Sequence, residues 1–548
     1  MRSRRPLVIS AVAAAMLIGS AGRARPAVEP AEQAAMDRDL IEVTIPALQA
    51  MYAAKQYTVA QVTDWYLKRI ALYNGVYRAV LHVDAAGAHA TAAAEDTAAR
   101  NGGASFTRGP LWGVPMVIKA NTSVKGLVTS AGWSGFLIPG YELVAPTDAT
   151  IVAKLRAAGA VILGQTNMPD FAASDGNISS AYGRTGDAYD WRFSPGGSSG
   201  GTVTSIAANF ALAGNGTDTA NSIRMPAATS AVVGVLPTRG LVSIAGINPL
   251  DWLRDNTGPI ARTVTDAAIT LGVMAGEDSK DFQTKDSTRL AQSGPYTKYL
   301  KADALQGKRF GVPAFIVAAG GPGALDPSTR EIFMKSLEGM RAAGATIVFD
   351  DALLPESFNT LTGKVNTRPY TAEGMDTFLR DFGPTQYHSS VEYAIAIGTP
   401  LPATVVPPLT PAQPGGPIPT PRPPVQQDPE ANANIWEPQQ RALAAYNEAL
   451  DQFHLDGLVY PAIQMPPFDE VAMAADGRRS AGPHSNTGWV NRIGVPAISL
   501  PGGSYANGLP FGLEISTRRW KDGDLLGYAF AYEQATHHRH PPVLVEKR

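Results

Sequence analysis

Between Gly196 and Pro226 the chain carries two tight loops of small residues, each built around a serine. The first reads Gly196-Gly197-Ser198-Ser199-Gly200-Gly201. The second reads Gly216-Thr217-Asp218-Thr219-Ala220-Asn221-Ser222-Ile223-Arg224-Met225-Pro226. Glycine and serine at this density let the backbone turn sharply and approach other segments closely. The apolar run between the loops, Thr202 to Leu212, has to be buried, as a helix or as a pair of strands. A third piece lies upstream, Gly113-Val114-Pro115-Met116-Val117-Ile118-Lys119, an apolar strand that ends in a lysine. Taken singly, each piece reads as a turn or a strand end whose lysine reaches back to water. Their combination in one chain is what calls for a chemical explanation.

A serine hydroxyl becomes a nucleophile only beside a base. Lysine can be that base if it is neutral. Its ordinary pKa is about 10.4, so half-neutrality near pH 8 requires the ammonium to be disfavoured by roughly 3.3 kcal/mol. Burial at the end of an apolar strand acts in that direction. A second serine can accept a proton on one side and donate one on the other, so it can relay between amine and nucleophile. The oxyanion of a tetrahedral intermediate needs preorganised N–H donors, and a small-residue loop just before a nucleophile supplies them.

The order of the three pieces, with Ser198 and Ser222 spaced as they are, resembles the amidase signature family. That family hydrolyses amides with a Ser-cisSer-Lys triad. The resemblance implies Ser222 as nucleophile, Ser198 as the bridging serine before a cis peptide, and Lys119 as base. The backbone N–H groups of Thr219, Ala220 and Asn221, with that of Ser222, are the candidate oxyanion donors. Two positions depart from the family pattern. Ala220-Asn221 stands where the family has Gly-Gly; Asn tolerates a left-handed backbone and Ala does so poorly, which predicts a reshaped oxyanion loop. Ala120 stands where the family has Asp after the lysine, and loss of that negative charge favours a neutral Lys119. Further segments resemble the family at Gly164 to Phe171, Asp255 to Arg262 and Asn491 to Leu513, so the likeness runs over about 44–350 and 455–535.

The chain has 548 residues, and its length alone would allow three or four domains. The resemblance implies instead one large α/β domain, with a central mixed twisted sheet covered by helices on both faces. Alternating helical and strand patterns agree with that. There is no cysteine, which excludes disulfides, thiolate nucleophiles and cysteine-held metals. With eight histidines and no His-Glu-x-x-His, a zinc hydrolase of that kind has no ligand set. No metal or organic cofactor is implied. Net charge is −2, without a basic run beyond the extreme N-terminus, so no nucleic-acid partner is expected. The expected partner is a small-molecule or peptide amide substrate.

Residues 1–21 read as an export signal: Arg2, Arg4 and Arg5, then a short apolar core from Leu7 to Ile18, then Gly19-Ser20-Ala21. That core is too short to span a bilayer, so no stable membrane insertion is expected, and the product is periplasmic or secreted. Residues 22–43 form an N-terminal extension and 44–540 the amidase signature domain. Within it, Thr44 with Pro46 starts a helix, and Thr58 to Gln61 fits a capping box at the start of a second. Residues 148–158 are predicted helical, closed by Gly159, with a strand at 160–163. A unit of the same shape recurs at 326–349. A proline-dense insertion at about 399–429 reads as an extended surface loop or a wall over the site. The aromatic loop at 133–138 and Trp252 fit either an apolar acyl pocket or core.

Four alternatives are open on sequence alone. Gly196 to Gly200 also fits the Gly-x-Ser-x-Gly elbow of an α/β-hydrolase, with His454 or His484 as a partner, although Asp190 to Pro195 is a poor buried strand. An amidotransferase of the A-subunit type would share the triad but work inside a cytosolic complex, and an esterase or carbamate hydrolase would share it outright. A binding protein on this scaffold would not need all three triad residues.

Overall fold

The structure, a computed structural model, describes residues 30–317, 324–406, 422–478 and 482–546. The export-signal reading at 1–21, and the stretch 407–421 inside the proline-dense insertion, lie outside the described residues. By its contacts the chain divides after Ile41. The first unit contains the helix Pro30–Leu40; everything below concerns the second, Glu42–Arg548.

The second unit opens with the two expected helices, Ile45–Ala53 and Val59–Tyr77. Thr44 caps the first, its side chain accepting from the Ala47 N–H. Thr58 and Gln61 close both arms of a capping box on the second. Each arm gives an N–H at the helix start the partner that the first turn lacks.

Among the described residues thirteen strands follow in chain order. They are β1 (Val80–Val83), β2 (Pro115–Lys119), β3 (Val161–Thr166), β4 (Ile178–Ser179), β5 (Gly183–Arg184), β6 (Ala213–Asp218) and β7 (Val233–Leu236). After these come β8 (Asn256–Ala261), β9 (Arg309–Val312), β10 (Thr346–Phe349), β11 (Gly457–Pro461), β12 (Ala497–Ser504) and β13 (Pro510–Ser516). β4 and β5 pair only with each other. The rest form one mixed sheet, in the order β1-β3-β2-β6-β8-β7-β12-β13-β11-β9-β10, flanked by helices. β2 runs parallel to both β3 and β6, so the carboxyl ends of β2 and β6 open on the same side. Open α/β sheets place ligands at that end. Every residue of β2, β3, β6, β7, β8, β11 and β13 is buried, which keeps this part of the sheet dry.

The run after Ser198-Ser199 is a helix, Gly200–Ala207, with all eight residues buried, and not a strand pair. Its start lies so close to another loop that a Cβ at Gly201 would come 2.3 Å from the Asn167 carbonyl oxygen. The 148–163 unit forms as expected, with Thr150–Ala157 helical, Gly159 at φ +93°, and β3 beyond it.

Residues 351–440, where the sequence carries no motif, hold the helices Glu356–Thr362, Thr371–Phe382 and Ser390–Ile397, and the start of Glu437–Gln452. Met375, Phe378, Leu379 and Phe382 pack against Phe136 and Phe171 in one apolar cluster. Trp133 lies against Phe136 and Phe171. Trp252 packs on Phe282 and donates its indole N–H to the Tyr370 carbonyl. Phe136 is therefore core, and Trp133 and Trp252 pack half-buried against it and its neighbouring cluster, respectively. A separate cluster centres on Trp489, fully buried among Phe358, Tyr446 and Tyr460 at ring distances of 5.6 to 5.7 Å. Replacing it by alanine removes the largest side chain of that cluster. Trp489→Ala is expected to destabilise the protein by roughly 3–5 kcal/mol, measured as a lowered denaturant midpoint at unchanged slope.

Candidate active site

Lys119 ends β2 and is completely buried. Its backbone N–H donates to Asn215 Oδ1 at 2.9 Å, which locks the strand end against β6. The amine meets four oxygens: Ser198 Oγ at 2.7 Å, Ser199 Oγ at 2.9 Å, Thr217 Oγ1 at 2.9 Å and the Thr217 carbonyl at 3.3 Å. Among the described residues no carboxylate touches it. Burial pulls its pKa down to about 7, against the opposing fields of Asp218 and Asp255.

The donors around the amine constrain where its own hydrogens point. The Ser199 hydroxyl donates to the Thr217 carbonyl at 3.3 Å, so Ser199 Oγ accepts from Nζ. Asn121 Nδ2 already donates to Thr217 Oγ1 at 3.1 Å. A neutral amine has two N–H donors and one lone pair. With donors directed at Ser199 and Thr217, the lone pair is left for the Ser198 hydroxyl, which then donates to Nζ.

Ser198 is completely buried, and its peptide bond with Gly197 is cis. The cis bond thus precedes Ser198, where the expectation had it following. Ser222 is 5% exposed and lines a cavity of about 710 Å³, which Lys119 and Ser198 do not line. The Ser199 N–H donates to the Ser222 carbonyl at 3.1 Å, tying the two loops together. Among the described residues the Ser222 hydroxyl makes no hydrogen bond. The structure therefore joins Lys119 to Ser198 directly, and brings Ser222 to them through the backbone of Ser199 only.

Thr219, Ala220 and Asn221 line the same cavity. Neither Ala220 nor Asn221 has positive φ, so the departure from Gly-Gly demands no left-handed residue. Among the described residues, none of the backbone N–H groups of Thr219, Ala220, Asn221 and Ser222 donates a hydrogen bond. The loop is held from outside instead. Thr219 Oγ1 donates to Asp255, and Asn221 Nδ2 donates to Asp175 at 3.1 Å. Arg224, fully buried, donates to the Ala220 carbonyl at 2.6 Å, to Asn491 Oδ1 at 2.7 Å and to Glu514 at 2.6 Å, and pairs with Asp218 at 3.1 Å. Burial alone would push the Asp218 carboxyl up, but Arg224 outweighs it and holds it below its ordinary range.

Sequence reading met Arg224, Asp255 and Asn491 only as members of motif segments and Glu514 not at all, because the contacts of Arg224 with Glu514 and Asn491, and of Thr219 with Asp255, join residues 290, 267 and 36 positions apart. Ala120 packs with Met168 and Ala172, while Asp218 and Asp255 supply negative fields from elsewhere; burial still prevails. The hydrolase elbow finds no support. The residues before Gly196 form turns and not a strand, and His454 sits past the end of the helix Glu437–Gln452. His484 does line the cavity. Among the described residues no group of three or more histidines and acids could hold a metal ion, and no helix is long and apolar enough to cross a membrane.

Comparison with known proteins gives this geometry a family. The model of the Amidase family matches residues 61–526. The A subunit of the glutamyl-tRNA(Gln) amidotransferase of Ralstonia pickettii is 31% identical over 536 residues, covering 91% of this chain and 99% of that one. Its counterpart in Halorhodospira halophila is 32% identical over 515 residues, covering 90% and 97%. Among solved structures, the native peptide amidase of Stenotrophomonas maltophilia superposes with a TM-score of 0.75 at 29% identity, covering 92% of this chain and 99% of that one. The chain belongs to the amidase signature family and is an enzyme that acts on amide C–N bonds.

Proposed function

We propose that the protein is a serine amidohydrolase that cleaves a carboxamide C–N bond through an acyl-enzyme on Ser222. The observation that carries this reading is the contact of a buried amine, lowered to about pKa 7, with the Ser198 hydroxyl at 2.7 Å. Neutral Lys119 takes the proton of Ser198, and Ser198 takes that of Ser222 as Ser222 Oγ attacks the carbonyl carbon. The oxyanion so formed is met by N–H groups of Thr219 to Ser222, which have no other acceptor among the described residues. The proton then returns through Ser198 to the leaving nitrogen, the C–N bond breaks, and amine or ammonia departs. Water repeats the sequence on the acyl-enzyme and releases the acid. The same machinery would accept esters and carbamates.

The relatives' name supports a second reading, an amidotransferase-like chain that works only with partners. The sequence of the first 21 residues weighs against it, since a chain exported to the periplasm or beyond is separated from aminoacyl-tRNA. If the protein is exported, its mature form recovered outside the cytoplasm begins near residue 22; N-terminal sequencing that finds an intact Met1 in the cytoplasm removes this argument.

The isolated chain is expected to hydrolyse simple amides and to be labelled by a fluorophosphonate. Ser222→Ala should abolish both and remain folded by circular dichroism, whereas His484→Ala should retain labelling. Labelling that survives Ser222→Ala refutes the assignment.

The lysine sets the pH dependence. Only its neutral form is a base, and with a pKa of about 7 roughly a tenth is neutral at pH 6 and roughly nine-tenths at pH 8. The value of kcat/KM should therefore rise about tenfold between those limits and level off above. A decline from pH 7 to 9 rules out a neutral Lys119 as base.

A further inference from the structure

The cavity in front of Ser222 is lined by both polar and apolar groups, and its two ends differ. Its walls carry Asp175 and His484 beside Asn221, and Arg254 beside Thr219, with Arg368 on a further loop. Each acid in this wall already accepts a hydrogen bond, although Asp251 Oδ1 is buried without a partner. Asp175 accepts from Asn221 Nδ2, and burial raises its pKa. Asp251 accepts from the Thr367 hydroxyl. The arginines are not used up in the same way. A guanidinium has five N–H donors. Arg254 directs one group to the Thr219 carbonyl at 3.1 Å and stands 3.8 Å from Asp251, too long for a hydrogen bond. Its Nε is buried without a partner. Arg368 is exposed at the cavity, and among the described residues its guanidinium makes no hydrogen bond or ion pair.

Positive charge also accumulates behind Arg254. Arg239 donates to the carbonyls of Leu253, Arg254 and Asn491. Burial, then Arg519 and Arg254, bring its pKa down to about 10. Burial and then Arg254 likewise lower Arg492. An anion at the cavity face of Arg254 would relieve this crowding and take up its open donors. A planar fork of that kind matches a carboxylate with two parallel bonds.

We propose that Arg254, assisted by Arg368, selects amides that carry a free carboxylate near the scissile bond. This rests on the amidase reading above and narrows its substrate class. Because Arg254 holds the Thr219 carbonyl, the bound carboxylate lies at the Thr219 end of the oxyanion loop, away from Asp175 and His484. Arg254 is then a specificity residue, outside the proton path.

The test compares matched amides that differ only in the anion. Succinamate against levulinamide places it on the acyl side, and para-acetamidobenzoate against para-acetamidoacetophenone on the leaving side. The full chain is expected to prefer the anionic member of at least one pair by about tenfold or more in kcat/KM, which also tells which side holds the carboxylate. In Arg254→Gln that ratio should fall at least tenfold, and Arg254→Lys should restore part of it. A strut that only supports Thr219 would lower both members equally and leave the ratio unchanged. Arg368→Gln changes an exposed side chain without protein partners among the described residues, so it should fold, and the ratio should fall in the same direction by a few-fold. No anionic preference in the wild type, or an unchanged ratio in both glutamine variants, overturns the proposal while fluorophosphonate labelling of Ser222 leaves the amidase reading standing. Absence of both turnover and labelling overturns the two together.

Discussion

A lysine amine enclosed by hydroxyl and carbonyl oxygens, with no carboxylate in contact, is the condition on which this site depends. Holding the pKa near 7 rather than above 10 amounts to about 5 kcal/mol against the charged form. The linkage has a definite sign. Between pH 7 and about 10.4 the unfolded chain binds this proton and the folded chain does not, so this group makes stability rise with pH across that window. Below pH 7 the fold must accommodate a buried ammonium. That is tolerable only because four oxygens stand ready to accept from it. The dry strands β2, β3 and β6 maintain the low dielectric, and the hydroxyls of Ser198, Ser199 and Thr217 make it survivable.

The second condition is the fate of Asp218. It closes β6 one residue from Thr217, and its field reaches Lys119. An unpaired carboxylate there would pull the amine back toward its charged form. Arg224 prevents this by taking Asp218 into a buried pair that Glu514 and Asn491 complete. The same arginine grips the Ala220 carbonyl. One guanidinium thus tempers the field on Lys119 and anchors the loop bearing Ser222, which explains why a full charge is kept at zero exposure.

The parts legible in the sequence were those written in contiguous residues. The small-residue loops announced Ser198 and Ser222, the apolar run announced β2 and Lys119, and the capping box at Thr58 formed with both of its bonds. What could not be read was long-range. Arg224 and Glu514 are 290 positions apart, and no local pattern joins them. The helix Thr371–Phe382 did leave a trace, since Met375, Phe378, Leu379 and Phe382 recur at helical spacing, but no motif drew attention to it. The aromatics of 133–138 carried no sign of which way they faced. That was decided by this same helix, which offered them a partner.

That choice of partner bears on chemistry. With Phe136 and Phe171 turned into the core and Trp252 fixed to Tyr370, the charged groups Asp175, Asp251, Arg254 and Arg368 line the cavity together with the loop itself, Leu250, Val365 and His484. Side chains hold this loop at Thr219, Ala220 and Asn221, while its N–H groups take no acceptor among the described residues. Donors fixed before the substrate arrives need no reorganisation when negative charge develops, which is the condition for strong stabilisation of an oxyanion.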